Sequence, residues 1–346
     1  MEKYNKIIIY YFSGTGNSQN VALWISNIAA EFKIPCEILN ISQTERRNLN
    51  SPILKSLIIF ISPVHGFNYP PIMTNFIFHF PKGSNNIVLM NTRAGMLIGN
   101  FITPGLSGIT FYLAAIVLKI KGYKLKGMFP VDLPSNWISV HPGLNERTVK
   151  YLHKKNKEKV EIFAKTILSG KTVFSCLKEI IQDLLVSPIS VLYYFIGRFF
   201  LSKTYYASGD CNNCGLCIKN CPVKAIKIVD KRPYWTFNCE SCMKCMSNCP
   251  HKAIETSHGF TILAVLIFTP LILTPFYKYF TFYFFELNNE FGKFLFETVL
   301  FLGFFGIIYK IMHYLLRFKF FERIVVYTSL TKYKFWGRRY KAIKEK

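Results

Sequence analysis

Acidic residues are scarce in this chain of 346 residues: 19 Asp and Glu stand against 43 Lys and Arg, a formal charge of +24. Such a balance suits nucleic acid, an anionic membrane surface or acidic redox proteins. No nucleic-acid-binding motif accompanies the charge, so no nucleic-acid partner is expected. Arg147–Lys171 forms one basic concentration, and the tail Arg317–Lys346 another, with ten Lys and Arg against Glu322 and Glu345. A secretory signal is also missing, because Met1–Lys6 runs straight into Ile7–Phe12 with no cleavage-site pattern, and the N-terminal part is expected in the cytosol. No Ser-His-Asp or paired-carboxylate arrangement marks a catalytic residue. Cysteine is rare outside one block: of ten, only Cys36 and Cys176 lie elsewhere, where they read as small buried hydrophobes.

The other eight cysteines form two runs of identical spacing, Cys211, Cys214, Cys217, Cys221 and then Cys239, Cys242, Cys245, Cys249, each closed by proline (Pro222, Pro250). Two tetrahedral zinc sites need only C-x-x-C pairs. The third cysteine at the same spacing and the following proline have a rationale in [4Fe-4S] ligation, where three thiolates on one loop meet one cluster and the fourth reaches its neighbour. By that rule Cys211, Cys214, Cys217 and Cys249 hold one cluster, and Cys239, Cys242, Cys245 and Cys221 the other. This segment resembles the bacterial two-cluster ferredoxins over about Ser208–Thr256, including the Ala-Ile pairs Ala225-Ile226 and Ala253-Ile254.

Upstream, apolar runs alternate with helical patterns, the sign of a doubly wound α/β domain with a parallel sheet covered on both faces. Strands are expected at Lys6–Phe12, Cys36–Ile41, Leu57–Ile61, Ile87–Asn91 and Lys126–Val131, and helices at Ser18–Phe32, Pro71–Phe80, Leu106–Lys121 and Asn145–Gly170. The first strand leads into Ser13-Gly14-Thr15-Gly16-Asn17-Ser18, placed to cradle a phosphate with backbone N–H groups, hydroxyls and a helix N-terminus. The third glycine of a dinucleotide loop and the lysine of an ATP loop are both absent. The loop resembles that of flavodoxins, which implies FMN. That resemblance implies ring contacts from Phe67 and Tyr69 after the third strand and from Asn91, Thr92 and Gly95 after the fourth. His65 reads as a solvent-facing loop residue or a ring neighbour, and Arg93 as a partner of reduced flavin or of a surface acid.

Two apolar runs follow the cysteine block. Phe260–Tyr277 is long enough to cross a bilayer, and Phe294–Leu316 is interrupted by Glu297, Lys310 and His313, the last two placed to snorkel from near one end. The stretch Thr172–Tyr206 is apolar but broken by Gln182, Asp183, Pro188 and Arg198, and reads as a connector that touches the membrane without crossing. The expected organisation is a flavodoxin-like FMN domain (1–145), a helical connector (146–206), a small α+β ferredoxin domain with two [4Fe-4S] clusters (207–257), a transmembrane helical hairpin (258–316) and a basic cytoplasmic tail (317–346). The whole resembles the fused flavodoxin-ferredoxin family, with a membrane extension. That implies electron relay between FMN and the clusters at the cell membrane, with a redox partner protein or membrane quinone. A flavin-dependent reductase of a small substrate or quinone, and a membrane protein holding metal structurally, are the alternatives. Positive residues near spans stay cytoplasmic, so the tail and both redox domains are expected inside and the loop Glu286–Lys293 outside.

Overall fold

The computed structural model describes residues 4–43, 55–98, 101–280, 290–336 and 343. The segment 281–289 between the two C-terminal apolar helices and most of the end of the basic tail lie outside these residues. The chain divides into two compact units, the first from Met1–Trp137 and Gly143–Tyr194 with the extreme C-terminus, the second from Ile138–Pro142 and Phe195–Gly337.

The first unit is built on β1 (Lys6–Tyr11), β2 (Cys36–Asn40), β3 (Ser56–Pro63), β4 (Asn86–Ile98), β5 (Phe101–Thr103), β6 (Lys124–Pro134) and β7 (Val173–Phe174). The path is β2-β1-β3-β4-β6-β7, parallel throughout, with β5 antiparallel on β4. Its first five strands run in the flavodoxin order, with the switch point between β1 and β3. The central strands are unbroken apolar runs because helices cover both faces: Ile7, Ile9, Leu57, Ile58, Phe60, Ile87 and Val88 are buried.

Helices α1 (Asn17–Glu31), α2 (Pro71–His79), α3 (Thr110–Ile120) and α4 (Glu146–Leu168) supply that cover. In α4 the Asn145 side chain accepts the Thr148 N–H at 2.8 Å and starts the helix, while Leu152, Val160, Phe163 and Ile167 face the core. Two differences from the expected elements share one cause. The hairpin partner β5 extends β4 to Ile98, well past Asn91, and the chain then needs a loop before α3 starts at Thr110 instead of Leu106.

A helical run then spans Ser175–Ser202, including α5 (Ile180–Leu192) and α6 (Arg198–Ser202). At 28 residues it is long and apolar enough to cross a membrane. By length and composition alone, the connector thus matches the two C-terminal runs.

The second unit holds β8 (Tyr205–Ala207), α7 (Leu216–Lys219), β9 (Ile226–Val229), β10 (Arg232–Trp235), α8 (Lys244–Asn248) and β11 (Ile254–Thr256). β8 pairs with β11 and β9 with β10, both antiparallel, giving the small ferredoxin-type module. Next come α9 (His258–Phe268), α10 (Thr274–Phe280), α11 (Glu290–Leu315) and α12 (Lys319–Tyr327). The stretches His258–Tyr279 and Glu290–Leu315 are each long and apolar enough to cross a membrane.

They pack through aromatic contacts such as Phe268 on Phe301 and Phe276 on Phe296, at 5.2 and 5.1 Å between ring centroids. The Tyr277 hydroxyl donates to Glu297 Oε1 at 2.8 Å, giving that carboxylate an internal partner. His313 does not snorkel: it is buried, with Nε2 2.9 Å from the Val229 carbonyl oxygen. The Tyr309 hydroxyl accepts from Trp235 N and donates to Tyr205 O, so the last turns of α11 are fastened to the module that α9 leaves.

Candidate functional site

The cysteine loops repeat each other in backbone as well as in spacing. Asn213 and Ser241, each two residues after the first cysteine, have φ of 59° and 51°, and Gly215 and Met243, two further on, have 72° and 60°. Left-handed residues set between right-handed ones turn successive N–H groups toward a common concave side. Met243 adopts this conformation without the freedom of glycine, a local cost that marks the loop shape as required. Lys224 and Lys252, three residues after the fourth cysteines, both have φ of 52°. The next residue in each run then donates its N–H back to sulfur: Ala225 N to Cys221 Sγ at 3.2 Å, Ala253 N to Cys249 Sγ at 3.4 Å. That bond accounts for the alanine in the repeated Ala-Ile pair, which is fully buried in both places.

Two chambers result. One is lined by Cys211, Cys214, Cys217 and Cys249, with Cys245 also on its wall. The other is lined by Cys221, Cys239, Cys242 and Cys245. The fourth cysteine of each run therefore lies with the first three of the other run.

Burial raises the thiols here, with neighbouring thiolates adding to the effect: Cys217 is pushed up to about 11, Cys242 to about 12, and Cys239 and Cys245 also rise. Thiols so raised are protonated at neutral pH and are not activated nucleophiles. The donor set, the paired chambers and the N–H groups on sulfur fit [4Fe-4S] ligation.

Sequence reasoning missed Lys203, which is 3% exposed. Its Nζ donates to Trp235 O at 2.7 Å and sits 4.1, 4.9 and 5.0 Å from the ring centroids of Phe237, Tyr309 and Tyr234. Burial lowers its pKa to about 8, opposed by the charge of Cys239. The buried Trp235 indole lies on the wall of the Cys239 chamber and acts on the Cys245 sulfur as a hydrogen-bond donor.

In the first unit the loop Ser13–Asn17 is half-exposed at the carboxyl end of β1, and Ser18 is buried. Ser13 Oγ accepts the Gly16 N–H at 3.0 Å, Thr15 Oγ1 accepts from Asn136 Nδ2 at 2.6 Å, and Asn17 Nδ2 donates to Pro134 O at 2.9 Å. Gly16 has φ of 112°, which only glycine adopts freely at the start of α1. The Ser18 hydroxyl shares a hydrogen bond of 3.0 Å with that of Thr92 and ties the loop to β4. Asn91, beside it, is fully buried and both atoms of its side-chain amide lack a partner among the described residues. Such a group calls for a ligand with donors and acceptors of its own. These residues fit FMN at the switch point, the loop for its phosphate and Asn91 for a polar edge.

Four expectations here need correction or refinement. The Tyr69 ring is buried and its hydroxyl donates to Met90 O at 2.9 Å, so it braces the loop and offers no face for stacking. Phe67 remains half-exposed, with φ of 65°. His65 is buried 5.6 Å from the Trp137 ring, not solvent-facing. Arg93 is not a surface residue either: it is enclosed, with Nε on Asp132 Oδ1 at 2.7 Å and its fork on Glu179. Two carboxylates already claim that charge. Gly95 is needed for packing, since a Cβ would come within 2.8 Å of the Asp132 carbonyl oxygen.

The 4Fe-4S dicluster domain family matches residues 210–254. The chain joins a flavodoxin-like domain to a 4Fe-4S dicluster domain. Among solved structures, oxidised flavodoxin 1 from Bacillus cereus is 14% identical over 47% of this chain and 97% of its own, with a TM-score of 0.34. The flavodoxin of Streptococcus pneumoniae TIGR4 gives 14% identity, the same coverages and a TM-score of 0.33. A rubredoxin oxygen:oxidoreductase from Desulfovibrio gigas is 14% identical over 49% of this chain, with a TM-score of 0.33, and the match spans 37% of that enzyme's length. No curated protein matches the chain.

Proposed function

We propose that this is a membrane-associated electron carrier that relays electrons between a bound FMN and two [4Fe-4S] clusters, and from them to a redox partner. The observation that carries the reading is the exchange of fourth cysteines between the two chambers. An exchanged ligand ties two clusters into one small module, the arrangement suited to passing single electrons onward. When bound, the flavin and the clusters supply the redox chemistry. The chain's own work is positioning and tuning. Ser13–Ser18 hold the phosphate, Asn91 meets a polar edge, the Ala225 and Ala253 N–H groups lie on the sulfurs of Cys221 and Cys249, and Lys203 places a positive charge beside one cluster.

Membrane attachment is part of the same proposal. The hairpin reading is supported by α9 leaving the ferredoxin module at Ser257 while the end of α11 bonds back to that module through Tyr309 and His313. Both ends of the pair therefore lie at one module, and the chain returns to the side it left.

An absorption spectrum of the full-length protein purified without oxygen tests the cofactors. The expected result is a broad shoulder across the violet from clusters, resolved flavin bands, and about eight irons per chain. A colourless protein holding two zinc ions would overturn the reading. Steady-state reduction of a small substrate or quinone by the purified protein alone would replace the carrier with a reductase.

A further inference from the structure

α5 has its polarity reversed relative to a helix on a water-soluble protein. Asp183, Ser190 and Cys176, just before the helix, are turned inward, and Asp183 is only 1% exposed. Its carboxylate accepts the Gly108 N–H at 2.8 Å and the Tyr112 hydroxyl at 3.2 Å. The Ser190 hydroxyl donates to Phe67 O at 3.0 Å, Glu179 pairs with Arg93, and the Tyr193 ring closes on Gly66, where no Cβ has room.

The opposite arc is apolar and bare. Ile181, Leu184 and Leu185 are 75, 72 and 74% exposed, and Ile189 and Leu192 continue the arc at helical spacing. Its one charged residue is Lys178, exposed near the start, with a stem long enough to reach headgroups. α3 extends the surface: Ile116 and Ile120, four and eight residues beyond Tyr112 and hence near its face, are 57 and 78% exposed.

In water the hydrophobic effect would turn such a helix over. A polar face against protein and an apolar face outward is the arrangement of a helix in contact with lipid. The same chain carries two further helices able to cross a bilayer, so lipid is the covering surface its sequence already provides for.

Crossing by α5 is a different matter. Its contacts with the α/β unit run from Glu179 to Tyr193, about 21 Å of helix at 1.5 Å per residue. A helix crossing a hydrocarbon layer of about 30 Å would draw the attached domain, with its charged surface, in with it.

We propose that α5 lies in the plane of a phospholipid bilayer as a docking helix. Its outer arc enters the acyl boundary, and its inner face holds the flavodoxin-like unit against the membrane. Because Ser190 and Tyr193 grip Phe67 and Gly66, the loop after β3 is fixed close to the lipid surface. The inference rests on the membrane-bound reading, which flotation of the unlabelled protein with vesicles checks separately.

The test uses full-length protein carrying a fluorescent non-canonical amino acid at Ile181, Leu185 or Leu192, reconstituted into vesicles of phosphatidylcholine and phosphatidylglycerol. The lipids carry bromine near the headgroups, near the bilayer centre or nowhere, so emission is read as a ratio that cancels quenching by bound cofactors. All three positions should lose emission, each more to shallow than to deep bromine, while a probe at Lys159, exposed on α4, loses none. Deep quenching strongest at Leu185 would show a crossing helix and overturn the proposal. So would emission unaffected by bromine in protein that floats with the vesicles, as when a second copy covers the arc.

Discussion

The Lys203→Met substitution removes a buried positive charge from beside Cys239 while keeping the length and apolar stem of the side chain. In the protein without clusters this ammonium is a burden. Lowering its pKa from 10.5 to about 8 corresponds to about 3 kcal/mol. The sign follows from the direction of the shift: the cost is full below the folded value of about 8, fades as pH rises from there, and is gone above the unfolded value of 10.5. A bound cluster changes the balance, because each added electron is a negative charge that the ammonium attracts. Two unit charges 4 Å apart interact by about 4 kcal/mol at an effective dielectric of about 20, and still by about 2 kcal/mol at twice that distance. Two kcal/mol is about 90 mV for a one-electron couple. Lys203→Met should therefore lower the potential of the cluster held by Cys221, Cys239, Cys242 and Cys245 by several tens of millivolts up to about 90 mV, and move the other cluster less. Lys203→Arg should stay near the wild type. Potentiometric titration followed by paramagnetic resonance resolves the two couples. Equal shifts in both, an upward shift, or none would refute the assignment of this charge to one cluster.

Cys249→Ala should damage the cluster held by Cys211, Cys214 and Cys217, and paramagnetic resonance with iron analysis decides it; loss confined to the Cys239 set would sink the exchanged ligation. Replacing both Thr15 and Ser18 with alanine should weaken FMN binding by up to several kcal/mol, since a hydrogen bond to a charged group is worth about 1.5–3 kcal/mol. Riboflavin, lacking the phosphate, should lose much less, and unchanged FMN affinity measured by fluorescence titration would count against the loop. For the hairpin, a cysteine introduced at Asn288 should react with an impermeant maleimide on intact cells and one at Ala342 should not. Both positions lie outside the described residues, and reaction at Ala342 alone would invert the orientation.

How much of this was legible in the sequence depends on how far apart the interacting residues are. The cysteine loops read directly because their geometry is local: spacing, left-handed turns and the N–H bond of Ala225 or Ala253 all fall within a few residues. The sheet read nearly as well, since strands buried on both faces are apolar throughout, and misreadings gathered where β5 lengthened β4. Arg93 was opaque because its partners Asp132 and Glu179 lie 39 and 86 residues away. Tyr69 was misread because an aromatic in a loop announces neither burial nor a bond to Met90.

α5 shows the deeper limit. Apolar residues at helical spacing fix that one face must leave water, but the same pattern serves a helix whose apolar face meets its own core and one whose apolar face meets lipid. Only the hydrogen bonds of Asp183 and Ser190 distinguish them, by showing that the polar face is the one spent on protein. With that face occupied, the leucines and isoleucines opposite are left to a surface outside the fold.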